Sequence, residues 1–227
     1  RGVADDKGPA VLTLYALKYL KDSGARLRYP VRALLGTNEE TNMYDVDYYA
    51  EHYPQPAFCF TPDAEFPVCN GEKGGFNGEI VSPRLENGVI LDFQGGVARN
   101  AVPDRAFCTV RVAPDAIECT EGVTKEAGEN GATVLRGQGK SGHAAMPAGT
   151  VNAISLLVDC LLHNHIGTEA EQAYLRVLQK LHAATDGSAV GIAADDGLFD
   201  PLTIIGGTIG QEDGVIHQSF DCRYPTN

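Results

Sequence analysis

Two short apolar runs that each stop at an acidic turn constrain this chain more than anything else in it. Val31-Arg-Ala-Leu-Leu35 ends at Gly36 and leads into Thr37-Asn38-Glu39-Glu40, and Ala57-Phe-Cys-Phe60 ends at Thr61-Pro62-Asp63. Ahead of both, Pro9 to Leu20 is almost continuously apolar, with proline near its first turn and Gly24 beyond its end, which predicts a buried helix. Helix, strand, turn, helix, strand is the rhythm of an α/β domain with a mainly parallel sheet. In such sheets chemistry collects beyond the carboxyl ends of the strands, which is where Glu39, Glu40 and Asp63 stand.

The texture then changes. Gly71 to Gly78 is rich in glycine, and a domain boundary is placed there, giving a partial catalytic domain over 1–77 and a second domain over 78–227. In the second domain, alternation predicts strands over Gly88 to Gln94, Ala106 to Val112, Ala132 to Gly139, Leu202 to Gly206 and Val215 to Tyr224. Helices are expected over Asp115 to Asn130, Asn152 to His163 and Glu169 to Ala183. Helices layered on an antiparallel sheet make an α+β, ferredoxin-like domain.

Composition excludes several functions. The formal net charge of -12 offers no clustered Lys and Arg to neutralise phosphates, so nucleic acid is not an expected partner. No apolar run approaches the roughly 20 residues that span a bilayer, and no basic segment precedes an apolar leader. The six cysteines are scattered, without a Cys-x-x-Cys pair, and read as reduced thiols of a cytoplasmic protein.

Taken singly, the acidic turns have ordinary explanations: Glu39-Glu40 as charge at a helix N-terminus, Asp5-Asp6 as a helix cap, Asp63 as an Asx turn after Pro62. Together, at successive elements of one α/β unit, they suit a site for divalent cations. Two such ions clamp an attacking water and a scissile carbonyl, and adjacent acids on one turn can divide metal binding from proton transfer.

These segments resemble the metal-binding motifs of the di-zinc aminopeptidase and aminoacylase superfamily, which includes glutamate carboxypeptidase and carnosinase. Thr-Pro-Asp63-Ala-Glu-Phe-Pro, followed by Asn70-Gly71-Glu72-Lys73-Gly74, is similar to its PepV-like bacterial dipeptidase branch. The resemblance implies that Asp5 bridges two zinc ions, that Glu40 and Asp63 each bind one of them, and that Glu39 is the general base. It also implies that the second domain is a lid. There His143, in Gly139-Lys-Ser-Gly-His143-Ala-Ala-Met-Pro, steadies the oxyanion, while Asn100 and Arg223 hold the substrate, Arg223 through its carboxylate. The expected activity is zinc-dependent hydrolysis of a small dipeptide, with manganese or cobalt as alternative metals. An N-acyl amino acid deacylase and a non-catalytic lid or oligomerisation module, pairing as a homodimer through the lid, are the other readings.

The chain departs from the family pattern in one respect. An upstream His-x-Asp motif and a downstream histidine, both zinc ligands in the family, have no counterpart here, so the chain is expected to be an internal fragment, inactive alone. Carboxylates without nitrogen ligands would favour calcium, magnesium or manganese. His163 and His165 read as helix-end residues, and His52, His182 and His217 match no motif.

Overall fold

A computed structural model of the chain describes residues 2–3, 6–39, 43–63 and 67–225. They divide into two compact units, Arg1–Gly71 and Glu72–Asn227.

The first unit contributes two helices, α1 (Lys7–Asp22) and α2 (Tyr44–His52). The expected helix after Pro9 forms, yet none of its residues is buried: Leu12, Tyr15 and Tyr19 are 69%, 66% and 72% exposed. The runs 31–35 and 57–60, read as strands from their apolar composition, carry no strand. This corrects the parallel-sheet expectation. A β-strand exists only where a neighbour takes its N–H and C=O groups, and among the described residues neither run has one.

The second unit is built on a seven-stranded sheet in the order β1-β9-β8-β2-β4-β6-β5. The strands are β1 (Gly74–Val81), β2 (Ile90–Gly95), β4 (Arg105–Val110), β5 (Val123–Ala127), β6 (Thr133–Gln138), β8 (Thr203–Glu212) and β9 (Val215–Tyr224). Every pairing between them is antiparallel. A separate two-stranded ribbon joins β3 (Ala101–Val102) to β7 (Gly142–His143). Helices α3 (Ala153–His163) and α4 (Glu169–His182) follow one another between β7 and β8, so the order is not the β-α-β-β-α-β of a ferredoxin-like domain. The α+β character stands, and the ferredoxin-like topology does not.

The helices cover one face of the sheet. Ile154, Leu157 and Leu161 of α3 and Leu175 and Leu178 of α4 pack with Phe93, Cys108 and Leu135 from the strands, all buried. Both helices start from a built cap: Asn152 accepts from Ile154 N and Ser155 N, and Thr168 and Glu171 form a reciprocal capping box. Glu171 is fully buried, and its carboxylate also takes Val89 N at 3.1 Å and Ile90 N at 2.9 Å, tying α4 to the start of β2. The helix expected over Asp115 to Asn130 is instead β5, entered through Gly122 at φ 74, a left-handed turn that no helix interior accommodates.

Six cysteines are free, Cys108, Cys160 and Cys222 of them buried. Among the described residues no helix is long and apolar enough to cross a membrane.

Candidate active site

Residues opposite one another in an antiparallel pair share a face, and alternate residues of a strand return to it. Ile204 and Cys222, in register, pack with Leu181 of α4, which assigns them to the helix face. Thr203, Ile205, Asp221 and Arg223 therefore line the opposite face, with Gly75, Asn77 and Glu79 joining them from β1 through its register with β9. The β3–β7 ribbon lies on this second face, anchored by Val102 and Ala144 against Ile205.

The ribbon brings two of the expected residues together. Ala101 pairs with His143, and Ala144 N donates to the Asn100 carbonyl at 2.9 Å. Both Asn100 and His143 are exposed, so their side chains are available to a ligand. The Ala145 N–H donates to His143 Nδ1 at 3.1 Å. That bond leaves the proton of a neutral imidazole on Nε2, as a donor on an exposed side chain. The loop is closed at its base by paired backbone bonds between Lys140 and Val151. A Cβ at Gly139 would sit 2.1 Å from the Val151 carbonyl oxygen, so only glycine permits this closure. On the other side, Gly207 lies against the Arg99 carbonyl, 2.2 Å from where its Cβ would be, and this seats the segment that carries Asn100.

Arg223 is set differently. Its Nε donates to Asp221 Oδ1 at 2.7 Å and its Nη2 to Asp221 Oδ2 at 3.0 Å. The Asp221 carboxylate is 1% exposed and the arginine side chain 30%; this pairing, before any other influence, holds the guanidinium charged. Asp221 was not singled out from sequence, although Asp-x-Arg on a strand puts both side chains on one face.

In the first unit, Glu39 is exposed in the turn after the 31–35 run and Asp63 is exposed after the 57–60 run. Asp5 and Glu40 lie outside the described residues. Asp45, another residue that sequence reading missed, holds the turn before Glu39: its Oδ2 accepts from Thr37 N at 2.6 Å and Asn38 N at 3.1 Å. The Thr37 bond leads the contributions that keep its carboxyl below the usual range. Asp6 caps α1 by position but makes no side-chain capping bond.

Among the described residues no group of three or more His, Cys, Asp or Glu side chains is placed to hold a metal ion. Zinc sites are built on imidazole or thiolate donors, and neither flanks Glu39 or Asp63 within the described turns. The described residues do not by themselves fit a zinc centre.

Exposed acids at Glu39 and Asp63 in the first unit, and a loop histidine and a carboxylate-anchored arginine in the antiparallel second unit, are what the described residues offer to chemistry. Residues 1–134 match the model of Peptidase family M20/M25/M40, and the chain belongs to that family. Within it the chain falls in the dipeptidase branch. It is 33% identical over 218 residues to the Beta-Ala-Xaa dipeptidase of Lactobacillus delbrueckii subsp. lactis, covering 89% of this chain and 46% of that protein. It is 32% identical over 240 residues to YtjP of Bacillus subtilis (strain 168), whose name assigns it provisionally to the dipeptidases, covering 99% and 52%. A Staphylococcus aureus (strain USA300) protein with the same provisional assignment is 29% identical over 243 residues. The chain spans about half the length of these relatives.

Proposed function

We propose that this chain serves the hydrolysis of a dipeptide that carries a free carboxylate. The observation that carries the reading is one sheet face that bears Arg223, its guanidinium held by a buried carboxylate, and seats the ribbon that carries exposed His143, whose Nδ1 is taken by Ala145 N. His143 donates to the scissile carbonyl oxygen as charge develops there, where a fixed donor is worth several kcal/mol. Asn100, beside it on the ribbon, orients the peptide, and Arg223 takes the carboxylate. Glu39 moves a proton from the attacking water to the leaving amine. Asp5, Glu40 and Asp63 are the carboxylates offered to zinc, or to manganese or cobalt; a bound ion supplies an activated water at neutral pH.

Metal binding in this reading needs nitrogen donors beyond the described residues, and the chain alone is inactive. The direct check is zinc per chain after exhaustive dialysis. Near zero is expected, and two equivalents would mean that the chain closes the site itself. In an active enzyme that contains this sequence, Glu39→Gln abolishes turnover with zinc still bound; retained turnover removes Glu39 from its role. Comparing L-alanyl-L-alanine with N-succinyl amino acids separates a dipeptidase from a deacylase, since both substrates offer Arg223 a carboxylate. The free thiols suit a reducing cytoplasm. A homodimer through the open lid edges β1 and β5 is part of the proposal, and a strictly monomeric chain in sedimentation would remove it.

A further inference from the structure

A guanidinium has five N–H donors arranged as two forks. Asp221 occupies the Nε–Nη2 fork of Arg223 with bonds of 2.7 and 3.0 Å. The other fork, formed by Nη1 and the remaining Nη2 hydrogen, lies in the same plane and is turned from Asp221; the Glu72 carboxylate adds to the field that keeps the guanidinium charged but makes no hydrogen bond to it, and no other described residue hydrogen-bonds to Nη1. Next to it, in register across the strands, is exposed Gly75. A Cβ there would stand 3.5 Å from Nη1, in ordinary contact, so a side chain extending beyond Cβ would reach into the open fork.

The pair is a poor choice if stability were its only purpose. Burying a carboxylate costs several kcal/mol before pairing, and well-packed apolar replacements of buried ion pairs are often neutral or stabilising. What the pair does provide is a single plane and a single direction for a side chain that would otherwise sample many rotamers. Directly opposite Asp221 on β8 is Ile205, the residue on which the His143 ribbon rests. The fixed arginine and the ribbon thus share one rigid piece of sheet.

We propose that Asp221 is a positioning residue, which holds Arg223 so that its outward fork, beside the space left by Gly75, receives the free carboxylate of the substrate. This rests on the reading that Arg223 is the carboxylate site. Removing Asp221 acts in two opposed ways: it raises the net positive charge of the site, which attracts anions, and it releases the fork, which misdirects them. Orientation outweighs charge in this proposal.

The test titrates the full chain, labelled with 15N-arginine, with L-alanyl-L-alanine and with its C-terminal amide. In the unmodified chain the acid should shift the Arg223 side-chain signals and the amide should not. Asp221→Asn, nearly isosteric, should move and broaden the Arg223 Nε signal and weaken acid binding by roughly tenfold or more. Unchanged or tighter acid binding in Asp221→Asn, with acid preference intact in the unmodified chain, overturns the positioning role. Equal binding of acid and amide by the unmodified chain, or undiminished acid binding by Arg223→Lys, overturns the carboxylate reading itself. Should Asp221→Asn lose the folded spectrum, Gly75→Val decides. It leaves the ion pair intact, so the Nε signal should stay in place while acid binding is lost, and unaltered binding would overturn the proposal.

Discussion

Helices α1 and α3 are both rich in apolar residues, and their fates differ completely. In α3, Ala153, Ile154, Leu157, Val158, Cys160 and Leu161 are buried against the sheet; in α1 nothing is buried. No described residue of 1–71 is buried at all. An apolar stretch therefore specifies a helix that wants a partner, while burial comes from the partner, and among the described residues the sheet that supplies one lies in the second unit. Exposed apolar surface on this scale is otherwise a mark of an interaction surface.

The contrast is broken most forcefully by truncating matched leucines. Leu157→Ala should cost about 2–5 kcal/mol, because a fully buried side chain leaves a cavity, whereas Leu12→Ala should stay within about 0.5 kcal/mol. Urea unfolding of both variants checks this, and similar losses would erase the distinction. Next in size is a pH effect confined to the second unit. His182 packs at Gly206 on the helix face, and burial pushes its imidazole down to about 4 against the raising influence of Gln218. The unfolded chain binds this proton more readily, so the stability is fully present above the ordinary value near 6.5 and is lost as pH falls towards 4, by about 3 kcal/mol. His182→Gln should flatten that part of the stability profile; an unchanged slope would remove His182 as its source.

A smaller loss, about 2 kcal/mol, is expected for Glu171→Gln. The amide keeps the shape but turns an N–H₂ towards backbone N–H groups that now share a carboxylate. Thermal unfolding measures it. The least effect belongs to the first unit: Asp45→Ala should speed amide exchange at Thr37, Asn38 and Val46, the amides its carboxylate accepts from, leaving α3 and α4 unchanged.

Sequence revealed the elements whose signals are local. The apolar spacing of α3 and α4 announces those helices without help from the rest of the chain. Strand β1 was hidden because Gly74, Gly75 and Gly78 erase the alternation that marks a strand, and its identity comes from β9 alongside. The runs 31–35 and 57–60 read as strands for the converse reason, since apolar composition was visible and pairing was not. At the site, His143, Asn100 and Arg223 were picked out from motif positions. That the ribbon carrying His143 and Asn100 sits on the face of Arg223 came only from packing on Ile205; Asp221 was in reach of strand alternation once its strand was expected, whereas the bonds of Asp45 to Thr37 and Asn38 appear only on folding.

The most direct test is native-state hydrogen exchange along the whole chain, read by mass spectrometry. Peptides from α3, α4, β8 and β9 should exchange slowly, near the global unfolding limit, while those covering 7–22, 31–35 and 57–60 exchange close to unprotected rates. Comparable protection in the two units would contradict the account, in which the second unit holds a buried core and the described residues of the first do not.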